Sequence, residues 1–197
     1  MSVRSITLRL LAPMLALSLA GCGINSIPTS EETAKARWAD VQNEYQRRAD
    51  LVPNLVATVK GFAAQEKDVL TAVTEARARA TSVQVSADDL GDPAKMAKFN
   101  DAQGSLGQAL GRLLMITENY PDLKSNQNFL ALQSQLEGTE NRITIARRDY
   151  NESVRDYNTR IRTFPEMMAA KVIYGAKPMT PFEATTPNAQ TAPTVKF

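Results

Sequence analysis

The chain has 197 residues, with 23 Lys+Arg against 21 Asp+Glu, a single cysteine and no histidine. Without imidazole there is no His-based acid–base pair, no Ser-His-Asp triad and no His-ligated metal site, so neither a metal nor a dissociable cofactor is expected. No glycine-rich phosphate loop is present, and carboxylate-only chemistry would rest on residues such as Glu66, Glu118 or Glu140, whose spacing does not pair them.

Arg4 and Arg9 precede an apolar run from Leu10 to Leu19, closed by Leu19-Ala20-Gly21-Cys22. A positive segment, a short apolar segment and then small residues make a secretory signal. The run is too short for the roughly 20 residues that span a bilayer, and Pro13 interrupts it. A small residue followed by Cys resembles the bacterial lipoprotein signal. That resemblance implies that residues 1–21 are removed, that the Cys22 thiol receives a diacylglycerol group and that the new amine takes an N-acyl chain. Two or three chains, at about 0.8 kcal/mol per buried methylene, make a lasting membrane anchor. The same resemblance implies, through Gly23 in place of an aspartate, the periplasmic face of the outer membrane.

The first 21 residues take two arginines and no acid, so the remainder carries 21 basic and 21 acidic residues. A neutral chain without a basic stripe is not expected to bind nucleic acid. With Cys22 acylated, no thiol remains for a disulfide.

Residues 22–30 are polar, contain Pro28 and read as a lipidated N-terminus and spacer, with a helix opening after Ser30. From Trp38 the core positions step by three and four: Trp38, Val41, Tyr45, Arg48, Val52, Leu55, Val59, Phe62, Glu66, Val69, Val73, Ala76, Ala80. Sustained spacing of this kind predicts one long helix on a packed seam. Pro53 lies inside it, and the unchanged register on both sides favours a kink over two helices. Arg48 and Glu66 carry charge on the seam. They read as side chains snorkelling at the bundle edge, with a functional pair as the alternative.

Residues 81–92 form the loop. Asp92-Pro93 supplies an N-cap and a first-turn proline, and Met96, Phe99, Gln103, Leu106, Leu110, Leu113 and Thr117 continue a second helix to about Glu118. Gly104, Gly107 and Gly111 on it suit close helix approach. Asn119-Tyr120-Pro121-Asp122 is a turn. A third helix follows through Phe129, Leu132, Leu136, Thr139, Ile143, Ala146, Tyr150, Ser153, Tyr157, Ile161 and Phe164, with a heptad echo at Tyr150-Asn151 and Tyr157-Asn158. Arg148–Glu152 and Asp156–Arg160 are spaced as i,i+4 ion pairs. Pro165 precedes a short helix from Glu166 to about Tyr174 with Gly175 as its stop, and residues 176–197, with four prolines, read as an extended tail.

The fold expected is therefore all-α: an antiparallel bundle of three long helices plus a short C-terminal helix over residues 31–175. Lengths do not match, since the first and third helices would each be roughly 60 Å and the second roughly 40 Å. Either the first helix breaks at Pro53 or residues 165–182 fold back as cover. The second is favoured, through Phe164, Met167, Met168, Val172, Ile173, Tyr174 and Phe182.

Arg47-Arg48-Ala49-Asp50-Leu51-Val52-Pro53-Asn54-Leu55-Val56 is similar to a signature segment of the LemA family. So are Glu118-Asn119-Tyr120-Pro121-Asp122-Leu123-Lys124, the run Thr139-Glu140-Asn141-Arg142-Ile143 with Ala146-Arg147-Arg148 and Tyr150-Asn151, Tyr157-Asn158-Thr159, Thr163-Phe164-Pro165, and the closing Pro193-Thr194-Val195-Lys196-Phe197. The resemblance implies an antiparallel four-helix bundle, and a membrane anchor that is usually a transmembrane helix. It implies no established enzymatic activity, and neighbouring genes that often include a membrane metalloprotease. Pro53 and Asn54 would mark the kink. Asn54, Asn141, Asn151 and Asn158 would form hydrogen-bonded layers inside the bundle, or else line a polar groove.

The function expected is that of a non-catalytic lipoprotein, a helical adaptor or scaffold in the bacterial envelope. Its partners would be the membrane, other envelope proteins that include a metalloprotease system, and, because long seams permit self-association, a second copy. An interaction patch is expected around Met167, Met168, Ile173 and Phe182. The alternative is a binding module holding a peptide, lipid or small ligand near Pro53.

Overall fold

The computed structural model describes residues 25–183. The expected lipoprotein signal with Cys22, and the last part of the expected tail from 184 onward, lie outside the described residues. The elements are α1 (Ser26–Phe62), α2 (Lys67–Ser82), a 3-10 turn (Ala87–Asp89), α3 (Pro93–Thr117), the single turn α4 (Pro121–Lys124), α5 (Gln127–Arg160) and α6 (Glu166–Ala169), which runs into a π-type turn (Ala170–Tyr174). Among the described residues there is no strand.

Two of the expected boundaries move. The N-terminal helix opens at Ser26 and not after Ser30, with Pro28 in its first turn. A proline there sacrifices nothing, because the first N–H groups of a helix have no partner in any case. The larger change concerns the long first helix. It runs through Pro53 without interruption and ends at Phe62, and the chain reverses over residues 63–66 before α2. Neither of the two solutions to the length mismatch foresaw this turn. It splits the expected helix into an element of about 55 Å and one of about 24 Å, and the shorter lies beside α3 as the fourth helix of the bundle.

The seam concealed the turn because each side is separately amphipathic and the two registers join across it. Only the positions nearest the reversal fail: Phe62 is 41% exposed, and Glu66 and Val69 are only partly buried. Leu70, Val73, Ala76 and Ala80 form the buried stripe of α2. Tyr120 holds the reversal from the opposite turn. Its hydroxyl donates to Glu66 Oε1 at 2.7 Å and accepts from Gln65 Nε2 at 2.9 Å.

Pro53 survives inside α1 for a reason visible only in three dimensions. A residue at 53 would donate its N–H to the carbonyl of Ala49, and proline has none to give. Arg77 of α2 supplies the missing donor, its Nε reaching Ala49 O at 2.7 Å. The exposed proline and the buried Val52 and Leu55 then sit on opposite faces of the same turn.

The remaining elements follow their local chemistry. Asp92 Oδ1 accepts from Ala94 N and Lys95 N at the start of α3, and all seven expected core positions of that helix are buried. Close backbone approach does not explain its glycines: a Cβ at Gly104 or Gly111 would meet nothing within 4 Å. The i,i+4 pairs expected on α5 are replaced. Arg148 turns to Asp149, Arg155 to Glu152, and Arg160 crosses the corner to Glu166 at 3.2 Å.

Two apolar cores stack along the bundle. One gathers Ile27, Trp38, Tyr45, Leu90, Met96, Phe99, Tyr150 and Phe182; the other gathers Val52, Leu55, Val59, Val73, Leu106, Leu110, Leu113, Leu123 and Phe129. Trp38 centres the first, with ring centroids 5.3 Å from Phe99, 5.4 Å from Tyr150 and 5.6 Å from Phe182, and its Nε1 donates to Val85 O at 2.9 Å. Aromatic pairs of this kind contribute about 0.5–1.5 kcal/mol each beyond area burial.

The compensation at Pro53 can be tested by a double-mutant cycle. Arg77→Met leaves Ala49 O without a donor and should lower unfolding free energy by about 1–3 kcal/mol. Adding Pro53→Ala restores an N–H at that position and should recover most of the loss. Urea denaturation of the four proteins gives the coupling, and additive effects would refute the pairing.

Candidate functional site: a buried arginine layer and an asparagine clamp

Arg48 stands at the boundary between the two cores and is 3% exposed. It does not snorkel at the bundle edge. Nη1 donates to Glu140 Oε2 on α5 at 3.0 Å, and Nη2 donates to Gln103 O and Gln103 Oε1 on α3 at 2.9 and 3.0 Å. Gln103 Nε2 in turn donates to Ala80 O near the end of α2 at 3.1 Å. The guanidinium also lies over the Tyr45 ring, 5.0 Å from its centroid. A single side chain thus couples all four long helices, directly or through Gln103. Arginine suits this position because its donors are fixed in one plane. Glu140 keeps its carboxylate mostly in water, which lessens the desolvation cost of the pair.

The second constellation is the heptad echo on α5. After the π-type turn, Gly175 adopts a left-handed conformation (φ 56°) that reverses the chain. Residues 176–183 then return in extended form along α5. Asn158 clamps Met179, with Oδ1 accepting from its N–H at 2.9 Å and Nδ2 donating to its carbonyl at 2.8 Å. Asn151 does the same to Phe182, at 2.7 and 3.0 Å. The match is geometric. Seven helical residues rise about 10.5 Å and three extended residues about 10 Å, so asparagines one heptad apart meet backbone groups three residues apart.

The strap is completed by other bonds. The Tyr150 hydroxyl donates to Thr180 O at 3.0 Å, Thr180 N–H donates to Leu90 O at 2.8 Å, and Arg147 Nη2 donates to Glu183 O at 3.1 Å while its guanidinium covers the Phe182 ring at 4.7 Å. Met179 and Phe182 are buried beneath.

Several expectations are corrected by this arrangement. Asn54 and Asn141 are exposed, and Asn151 and Asn158 grip a backbone at the bundle surface, so the asparagines form no internal layers. Cover does come from a returning C-terminal segment, through the expected Phe182 together with Ala170 and Met179; Met167 is half-buried, and Phe164, Met168, Val172, Ile173 and Tyr174 stay exposed. Phe182 therefore leaves the expected interaction patch. Among the other residues carrying the resemblance, Arg47, Asp50, Asn119 and Pro121 are exposed, Arg142 pairs with Glu44 at 3.1 Å, and Tyr157 is buried. The three carboxylates do not converge: Glu66 meets Tyr120, Glu118 meets Lys124, and Glu140 meets Arg48. Among the described residues no group of three or more Asp, Glu, Cys or His is placed to hold a metal.

The polar layer predicts an inversion in a mutant series. Glu140→Gln leaves a buried guanidinium without its counter-charge and should cost about 1–2 kcal/mol, below the ~3–5 kcal/mol of a fully buried pair. Arg48→Met in the same chain removes the stranded charge and should return part of that loss. If denaturation shows the double variant weaker by the sum of the single effects, the charge pair is not what holds the layer.

The tyrosines predict an alkaline limit. Burial pushes the hydroxyls of Tyr45, Tyr150 and Tyr157 above their ordinary value. The unfolded chain then releases these protons at lower pH than the folded chain. Stability is whole below about pH 10 and falls as pH rises through the folded values. Tyr150→Phe should lose about 1 kcal/mol at neutral pH with the bond to Thr180 and show a shallower alkaline decline in melting temperature. An unchanged slope would contradict the assignment.

The match to the LemA family covers residues 37–197. Among curated proteins, magnetosome protein MamQ of Magnetospirillum gryphiswaldense is 28% identical over 157 residues, covering 72% of this chain and 58% of the relative. MamQ 1 of Paramagnetospirillum magneticum is 27% identical with the same coverage. Protein LemA of Metamycoplasma hominis is 26% identical over 121 residues, covering 61% and 51%. The chain thus spans between half and three-fifths of the length of these relatives. With the family match extending over the bundle and its strap, the chain belongs to the LemA family.

Proposed function

We propose that the protein is a non-catalytic scaffold of the bacterial envelope, held to the periplasmic face of the outer membrane by acyl chains on Cys22. The observation that carries this reading is where the polar residues of the family pattern are spent. Arg48 and Glu140 join the helices, Tyr120 holds the 63–66 reversal, and Asn151 and Asn158 hold the strap. Each is engaged by the protein itself, so the chemistry serves to keep one rigid shape. That some relatives are named for a magnetosome and another for the family alone fits a shape reused with different partners better than one reaction. Envelope proteins, including a membrane metalloprotease system, and a second copy of the chain are the partners proposed.

The seam at Pro53 is filled by Val52, Leu55 and the Arg77–Ala49 contact, which disfavours the alternative of a ligand held there. No described helix is long and apolar enough to cross a membrane; the proposed anchoring rests on the sequence around Cys22.

The test compares the native protein with Cys22→Ser. An intact mass showing an acylated N-terminal Cys22, with the native chain in the membrane fraction and the variant released or left as precursor, supports the anchor. An unmodified Cys22 refutes it. Proximity labelling in intact cells then reads the scaffold role: a restricted set of envelope proteins supports it, and bulk envelope proteins alone refute it.

A further inference from the structure

Five of the nine large hydrophobic side chains exposed among the described residues fall within 164–174: Phe164 (80% exposed), Met168 (54%), Val172 (78%), Ile173 (60%) and Tyr174 (40%). They lie at one corner of the molecule, and the structure says which end that corner occupies. Ser26, the first residue of α1, donates its hydroxyl to Glu166 Oε1 at 2.9 Å, and Arg160 at the end of α5 reaches the same oxygen at 3.2 Å. The apolar corner is therefore bonded directly to the start of the bundle. Cys22 precedes Asn25 by three residues, a reach of no more than about 11 Å.

We infer that this corner is the membrane-facing surface of the protein: Phe164, Met168 and Val172, spaced four apart, enter the lipid interface, with Ile173 and Tyr174 beside them. The occupant is an anionic bilayer surface. Residues 160–177 carry Arg160, Arg162, Lys171 and Lys177 against Glu166 alone. That is a local surplus of three positive charges in a chain that is neutral beyond residue 21, and Glu166 is already held by Arg160. Basic side chains around an apolar face are the composition of an interfacial contact, in which apolar burial and attraction to anionic headgroups add. An exposed apolar patch of this kind marks an interaction site. The opposite end, around the 63–66 reversal, exposes Phe62, Met115 and Leu130, which lie on three different helices rather than in one short segment.

The inference rests on the Cys22 anchor proposed above, and one preparation tests both separately. The acylated protein has no free thiol, so Val172→Cys and, at the far end, Met115→Cys each supply a single labelling site on an already exposed position. Each is coupled to a polarity-sensitive fluorophore and reconstituted in vesicles of phosphatidylethanolamine and phosphatidylglycerol. The label at 172 should shift to the blue and lose fluorescence to bilayer-borne quenchers, and the label at 115 should do neither. Lys171→Glu with Lys177→Glu should reduce the shift at 172. Equal behaviour at 172 and 115 in a chain whose mass shows acylated Cys22 overturns the membrane face and leaves the anchor standing. An unmodified Cys22 overturns the anchor and this inference with it.

Discussion

A buried guanidinium allows few arrangements of the chain around it. Burying a guanidinium is costly unless acceptors meet it; Nη1 and Nη2 of Arg48 find theirs on α5 and α3, with Gln103 passing the link on to α2, and only Nε is left without a partner. Apolar seams alone permit sliding by a turn or a heptad, because one leucine layer packs much like the next. A fixed fork of donors does not. The polar layer between the two cores therefore sets the register of the bundle, in the way that a single polar core residue sets the register of a coiled coil.

Above that layer the bundle is closed by a segment that is not helical. The strap contributes Phe182 to the aromatic group around Trp38, and the asparagines of α5 hold its backbone without reading its side chains. Asparagine is suited to this because its amide offers one acceptor and donors in a single plane, matching the N–H and C=O of an extended residue. The strap thus completes a core that helices of unequal length would leave open, and it does so by a correspondence between two repeats, a helical heptad and three extended residues.

The same economy appears at Pro53. Its missing donor is replaced from a neighbouring helix, so a residue that ordinarily ends a helix becomes a link between two. The two ends of the molecule differ accordingly. One is finished by turns and by Tyr120; the other carries the strap, the apolar corner and the start of α1. A scaffold tethered by its N-terminus would present the first end outward and rest on the second.

The sequence by itself determined the all-helical class, the core faces of α1, α3 and α5, the Asp92 cap, the Gly175 stop and the family. All of these are set by periodicity, by capping chemistry or by ordered strings of residues, which are local properties. It could not reveal the reversal at 63–66, because α2 continues the same three-four spacing and no proline or glycine pair marks the turn. Arg48 read as a surface side chain because its acceptors lie 55 and 92 residues away. Asn151 and Asn158 stood out as a repeat, and Met179 and Phe182 carry a matching spacing of three, but nothing in a linear reading says that one repeat binds the other. Tertiary structure decided these points because each is a hydrogen-bond partnership between distant segments, and a polar group's partner is chosen by the fold and not by its neighbours in the chain.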